Sequence, residues 1–209
     1  MAEPNNNLLI VISAPSGGGK TTLCEQLLAA DANTVRAVTC TTRPPRAGER
    51  DGIDYYFLDA ATFLKRVQAG NCLEHATVYG QSYGTLKSEV LERLWQGKDV
   101  LLSIDVQGAA AIRAKAGEDA EIGQSLVTVF LAPLSLAVLE ERLKARGKDS
   151  AAAIQKRLSV ARQEIGQWKH FDYLIISQSI PEDLRRLQAI ILAEKLRQGR
   201  TPLPKYDVS

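Results

Sequence analysis

The segment ISAPSGGGKTTL, Ile12 to Leu23, follows an apolar run and precedes residues with helical periodicity. Its glycines, Lys20 and Thr21 approximate the phosphate-loop template G-x-x-x-x-G-K-[ST], with Ala14 in place of the first glycine. In such a loop, backbone N–H groups and a helix N-terminus converge on an oligophosphate. Lys20 would reach the β- and γ-phosphates, and Thr21 would offer its hydroxyl to magnesium. The predicted loop ligands are Ala14, Pro15, Ser16, Gly17, Gly18, Gly19, Lys20, Thr21 and Thr22.

A second polar segment, TCTTRPPRAGERDGIDYYF, begins at Thr39 and places Arg43 and Arg46 around two prolines. A guanidinium group binds oxyanions bidentately, so two arginines on a rigid turn could hold a phosphate. A short run of charge is also typical of a solvated loop, and the spacing alone leaves both interpretations open. A third segment, LEHATVYGQSYGT, brings Glu74 and Tyr83 into one short stretch.

The elements that would position these residues alternate between Val/Ile-rich runs and amphipathic segments, which is typical of βα units around a parallel sheet. Predicted strands cover residues 8–14, 35–39, 100–104, 126–131 and 173–176. Predicted helices cover residues 20–30, 86–95, 109–116, 134–145, 151–166 and 181–197. The fold class is therefore α/β, with a three-layer core formed by residues 1–38, 86–133 and 169–198. Residues 39–85 form a small mixed insertion, residues 134–168 a helical flap and residues 199–209 a tail.

The composition excludes several classes of protein. With 26 basic and 24 acidic residues in 209, the net charge of +2 gives no general reason to expect a nucleic-acid or membrane surface. The three cysteines lack C-x-x-C spacing, which disfavours a disulfide framework and a zinc site. No run approaches the roughly 18 apolar residues of a membrane span, and the first residues lack the basic start of a signal peptide. We expect a cytoplasmic protein with small-molecule substrates.

These motifs together resemble the guanylate kinase family, whose members transfer a phosphoryl group from ATP to GMP. The family pattern T-T-R-x-P-R-x-G-E-x-x-G-x-x-Y-x-F is present from Thr41 to Phe57. The pattern E-x-x-x-x-x-G-x-x-Y-G-[ST] is present from Glu74 to Thr85, and I-D-x-Q-G from Ile104 to Gly108. The resemblance covers nearly the whole chain. It implies a P-loop NTPase core, a GMP-binding insertion and a lid that corresponds to the flap.

The resemblance also implies roles for individual residues. The GMP site would comprise Thr39, Arg43, Arg46, Glu49, Tyr55, Glu74, Tyr83, Thr85 and Asp105, in which Arg43, Arg46, Tyr55 and Tyr83 hold the phosphate and Thr39, Glu74, Thr85 and Asp105 read the base. The lid arginines would be Arg146 and Arg157, whereas Arg142 and Arg162 would lie on helix surfaces. The catalytic set is then Lys20, Arg43, Arg146 and Arg157, with Mg²⁺ bound together with ATP, through Thr21, as cofactor. The resemblance leaves open whether the protein is a monomer or a small homo-oligomer.

Two departures from the family pattern are informative. Ser103 replaces the first aspartate of D-I-D, which implies weaker metal contact from that strand. The segment IISQSIPEDL, which begins at Ile175, lacks the I-V-N-D-D pattern near the adenine, so the adenine contacts at 177–179 are not fixed by the resemblance. Two alternatives to a GMP kinase are a phosphopeptide-binding module without turnover and a P-loop kinase for another phosphate ester.

Overall fold

The computed structural model describes residues 6–78, 80–145 and 150–201. Within these ranges the chain forms nine strands and eight α-helices, and a 3₁₀ turn, Trp168–His170, precedes the last strand. In chain order the elements are β1 (Leu9–Ser13), α1 (Lys20–Ala30), β2 (Thr34–Arg36), β3 (Cys40–Thr41), β4 (Tyr56–Phe57), α2 (Ala60–Gln68), β5 (Cys72–Val78), β6 (Gln81–Leu86), α3 (Lys87–Trp95), β7 (Asp99–Ser103), α4 (Val106–Glu118), α5 (Ala120–Ser125), β8 (Leu126–Pro133), α6 (Leu136–Ala145), α7 (Ala151–Ile165), β9 (Tyr173–Ser177) and α8 (Ile180–Lys195).

The central sheet has the order β2-β7-β1-β8-β9, and every neighbouring pair is parallel. Both faces are covered by helices: α1 and α8 pack on one face, α3 and α4 on the other. A strand between two helical layers must be apolar on both sides, which explains why all five residues of β1 are buried. The predicted three-layer α/β core is therefore confirmed, and the loop after β1 lies at the carboxyl edge of this sheet.

A second, four-stranded sheet with the order β4-β3-β6-β5 is built entirely from residues of the predicted insertion, plus Leu86. Its strands are mixed: β3 is parallel to β4 but antiparallel to β6. Helix α2 covers it by burying Phe63 against Cys40, Cys72 and Leu86. The sequence analysis did not predict α2, although it is amphipathic, because it is short and lies in a segment rich in glycine, proline and polar residues. Its start at Asp59, which caps the N–H of Thr62 at 2.8 Å, was a usable signal.

Most predicted elements of the core occur with shifted ends. The second predicted strand, 35–39, is instead β2, which ends at Arg36 and leaves Thr39 outside the strand. Helix α4 begins three residues earlier than predicted, because Asp105 caps it by accepting the N–H of Gly108 at 2.8 Å. The short helix α5 was also not predicted; Asp119 caps its first turn.

Candidate active site

Two glycines of the loop between β1 and α1 adopt a backbone conformation that favours glycine. Gly17 and Gly19 have φ values of 88° and 94°, which L side chains rarely adopt. Gly17 is also crowded, since a Cβ there would lie 3.0 Å from Leu143 Cδ2 and 3.1 Å from Leu139 Cδ1 on α6. The N–H of Gly18 donates to the carbonyl of Pro15 at 2.8 Å and closes the turn. This geometry turns the loop back toward the start of α1, where unpaired helix N–H groups can bind an anion.

Lys20 is the first residue of α1 and points toward the neighbouring strand. Its Nζ donates to the carbonyl oxygen of Ile104 at 2.6 Å, just beyond the end of β7. Burial lowers the pKa of Lys20, while the charges of Asp105 and Glu164 partly oppose this. Thr21 follows with an exposed side chain. When a phosphate binds in the loop, Lys20 would donate to the charged phosphate oxygens instead of to the neutral carbonyl of Ile104.

Arg43 is held by Glu49 in a bidentate ion pair. Arg43 Nη1 donates to Glu49 Oε2 at 2.7 Å, and Nη2 donates to Oε1 at 2.6 Å. The guanidinium group also stacks over the ring of Tyr55, 5.0 Å from its centroid, and bonds the Tyr83 side chain. The bond from Arg43, aided by the N–H of Arg46, lowers the pKa of Glu49 to about 2. Glu49, predicted as a GMP ligand, is therefore placed where it orients the arginine.

A cleft of about 390 Å³ separates the small sheet from the end of β7. Four of the predicted residues line it, namely Thr39, Glu49, Tyr55 and Tyr83, opposite Ser103 and Ile104. The exposed Arg46 does not line the cleft in this conformation, although its backbone N–H donates to Glu49 at 2.8 Å. The cleft therefore brings the predicted phosphate-binding aromatic side chains close to the strand that carries the partner of Lys20.

Three of the four residues predicted to read a base, Glu74, Thr85 and Asp105, lie near the start of α4, whereas Thr39 lines the cleft. Thr85 Oγ1 donates to Glu74 Oε1 at 2.7 Å. The other carboxylate oxygen, Oε2, lies 3.4 Å from the position that a Cβ of Gly108 would take. Burial raises the pKa of Glu74, and the nearby charge of Asp105 adds to the increase. One oxygen of Asp105 is already used as the α4 cap, so this residue has a structural role that the sequence analysis did not assign to it.

The helices α6 and α7 lie against the phosphate loop. Arg157 Nη1 is 3.5 Å from Ser16 Oγ. Arg142 lies half-exposed on α6, and its Nη1 is 3.8 Å from the position that a Cβ of Gly19 would take, so this surface of the helix faces the phosphate loop. Helical periodicity does not show which neighbouring element a polar face meets. Arg146 lies outside the described residues. Glu164, which the sequence analysis did not single out, also faces Ser16.

Ser103 and the 177–179 segment have partners of their own. The Ser103 hydroxyl faces the thiol of Cys24, whose pKa is raised by burial and partly lowered by this hydroxyl. Ser177 Oγ donates to Asp183 Oδ2 at 2.8 Å, and Ser179 caps α8. These serines therefore support the fold around the site.

None of the helices within 6–78, 80–145 and 150–201 is long and apolar enough to cross a membrane. Within the same ranges, no group of three or more His, Cys, Asp and Glu side chains is arranged to hold a metal ion.

Comparison with known proteins identifies relatives along almost the whole chain. The family model described as guanylate kinase matches residues 6–194. The guanylate kinase of Maricaulis maris is 42% identical over 195 residues, covering 93% of this chain and 87% of the relative. That of Coxiella burnetii is also 42% identical, covering 93% and 91%. The crystal structure of guanylate kinase from Anaplasma phagocytophilum is similar with a TM-score of 0.67 and 31% identity, covering 93% of this chain and 89% of that one.

Proposed function

Because the chain belongs to the guanylate kinase family, we propose that it transfers the γ-phosphoryl group of ATP to GMP, giving ADP and GDP. The single observation that carries this proposal is the arrangement of the cleft. Glu49, Tyr55 and Tyr83, which hold Arg43, line this cleft together with Ile104, and the carbonyl of Ile104 accepts from Lys20 of the glycine-rich loop. A phosphoryl transfer between two nucleotides requires two such anion-binding groups near each other.

On the acceptor side, we assign GMP to the cleft beside the small sheet. Arg43 and Arg46 would bind its phosphate together with Tyr55 and Tyr83. Guanine offers its N1–H and N2 amino group side by side as donors, and the carboxylate of Glu74 is a matching acceptor. Thr39, Thr85 and Asp105 would complete the base site. The bond from Thr85 supports this assignment, since it fixes the plane of the Glu74 carboxylate.

On the donor side, we assign the ATP phosphates to the loop and to Lys20. An oxygen of the GMP phosphate attacks the γ-phosphorus, a new P–O bond forms, and the bond to ADP breaks with its electron pair leaving on ADP. The attacking oxygen is already anionic, so no protein nucleophile is needed. The chain contributes position and positive charge through Lys20, Arg43, Arg157 and Arg146.

We propose Mg²⁺ as the cofactor, bound with ATP. The donor set fits a magnesium ion that keeps phosphate and water ligands, since Thr21 offers an exposed hydroxyl at the start of α1. Ser103, whose hydroxyl faces the thiol of Cys24, supplies no carboxylate ligand for the ion. When bound, the ion would neutralise charge on the phosphate oxygens.

The wider setting is also proposed. We place the protein in the cytoplasm, in purine nucleotide metabolism, because Cys24, Cys40 and Cys72 are buried free thiols, as a reducing compartment allows. We retain the division into a core, a GMP-binding insertion (39–85) and a lid (134–168). The protein would be a monomer or a small homo-oligomer.

A coupled assay of ADP release with GMP, AMP, CMP and UMP tests the proposal. GMP should be the preferred acceptor, and ADP release should depend on magnesium. Turnover with another acceptor in preference to GMP would indicate a kinase of different specificity. The absence of turnover together with tight binding of a phosphopeptide would indicate an interaction module. The contact of Arg157 with the loop favours the enzyme over that module.

A further inference from the structure

Helix α7 has two faces with different partners. Ile154, Leu158 and Ala161 are buried against α6. Arg157 and Glu164 are seven residues apart, which is close to two helical turns, so their side chains leave the helix on the same side. That side faces the phosphate loop. The apolar face fixes α7 to α6, and the polar face decides how α7 meets the loop.

Both polar side chains reach the same loop residue. Arg157 Nη1 lies 3.5 Å from Ser16 Oγ, and the backbone N–H of Ser16 faces the carboxylate of Glu164 and partly opposes the increase in its pKa. Two contacts two turns apart on one helix restrict both its rotation and its tilt relative to the loop. The Glu164 contact is made to the backbone, so it does not depend on the rotamer of Ser16.

The environment of Glu164 is unusual for a helix residue near the surface. Its Oε2 is buried and has no hydrogen-bond partner among the described residues. The charges around it come from Lys20 on α1 and from Asp105 at the start of α4. Burial raises the pKa of this carboxyl group. A carboxylate with no role beyond the helix surface would point toward the solvent, because burial of a carboxylate without a full set of hydrogen-bond partners costs free energy.

We propose that Glu164 is a positioning residue that holds α7 on the phosphate loop and thereby presents Arg157 to the transferring phosphoryl group. This inference rests on the proposed GMP kinase activity and names a residue through which Arg157 acts. Glu164 itself touches neither nucleotide. Its contribution is the orientation of a helix that carries a cation, which stabilises the charge of the transition state only when that cation is in place.

The test compares five variants: Glu164→Ala, Glu164→Gln, Arg157→Ala, the double alanine variant, and Gln163→Ala as the matched control. Gln163 is the neighbouring residue and lines the same surface cavity as Glu164. Glu164→Ala should lower kcat on the order of tenfold, as expected for a lost bond to a charged group, and leave KM for GMP within about twofold. Glu164→Gln should recover most of kcat, because its amide oxygen can still accept the Ser16 N–H. The double variant should be no slower than Arg157→Ala, as expected when one residue acts through the other.

Hydrogen exchange of the unliganded protein supplies a readout that needs no activity. Amides of residues 151–165 should exchange faster in Glu164→Ala than in the wild type, and at the wild-type rate in Glu164→Gln and Gln163→Ala. The inference is overturned by unchanged kcat and exchange in Glu164→Ala, by multiplicative losses in the double variant, or by equal losses in Gln163→Ala. If the wild type fails to phosphorylate GMP, the proposed function fails, whereas the exchange comparison still decides whether Glu164 holds α7.

Discussion

Replacing Glu74 by glutamine should remove most of the selectivity for guanine. In the structure, Glu74 Oε1 accepts the Thr85 hydroxyl at 2.7 Å, so in Glu74→Gln the amide oxygen would occupy this position. The NH₂ group would then take the place of Oε2 and meet a guanine donor with another donor. One hydrogen bond to a charged group contributes about 1.5–3 kcal/mol, which corresponds to a loss of about 10- to 150-fold in kcat/KM for GMP. KM for ATP should be unchanged.

The acidity of Glu74 gives a second readout of the same residue. Its pKa is raised above the ordinary 4.5, chiefly by burial. A carboxyl group with a raised pKa becomes protonated at a higher pH than a free glutamate, and the protonated form loses one acceptor. kcat/KM for GMP in the wild type should therefore decline as the pH falls through a range above 4.5, since this ratio reports the free enzyme. In Glu74→Gln this part of the pH profile should be absent.

AMP and Thr85→Val serve as controls for this prediction. Adenine lacks the N2 donor and presents an unprotonated N1 to the carboxylate, so AMP should be rejected by about 10⁴–10⁵-fold in kcat/KM. Thr85→Val keeps the carboxylate but removes the hydroxyl that orients it, and should weaken GMP less than Glu74→Gln does. Comparable turnover of AMP and GMP by the wild type would refute the reasoning. Full GMP selectivity in Glu74→Gln would do the same.

Three further substitutions test the phosphate side of the site. Lys20→Ala should lower kcat by at least about 10²-fold, the scale of one preorganised electrostatic contact, and steady-state turnover within a few fold of wild type would contradict the role of the loop. Gly17→Ala should cost about 1–2 kcal/mol in the free energy of unfolding, because φ is 88° and the new Cβ would crowd two leucines of α6; urea denaturation measures this, and an unchanged midpoint would count against it. Ser103→Asp should raise the apparent affinity for magnesium or leave it unchanged in a titration of activity, and a large loss of activity would mean that this strand end requires a small hydroxyl.

Much of this protein could be predicted from the sequence, because the deciding interactions are local or periodic. In runs such as 8–14 and 100–104, the side chains that would point to either face of a strand are apolar. A strand in a sheet between two helical layers buries both of its faces, so these runs predict such a sheet. The loop ending in Lys20 follows from its glycines, which permit the positive φ that the turn requires. Helix α1 begins and ends where its pattern predicts. The residue patterns from Thr41 to Phe57 and from Glu74 to Thr85 suffice to indicate the family.

The remaining features depend on which surfaces meet, and chain spacing does not encode this directly. The ion pair between Glu49 and Arg43 depends on how the turn between them folds. The cap that Asp105 provides depends on where α4 starts. Arg142 and Glu164 read as ordinary surface residues in the sequence. They become part of the site only because the apolar face of α7 packs on α6 and so directs the polar sides of both helices to the phosphate loop. The sequence by itself determined the types of side chain and the local turns, whereas the tertiary structure decided which of them share one cleft, because contacts between distant segments form only when the buried faces have packed.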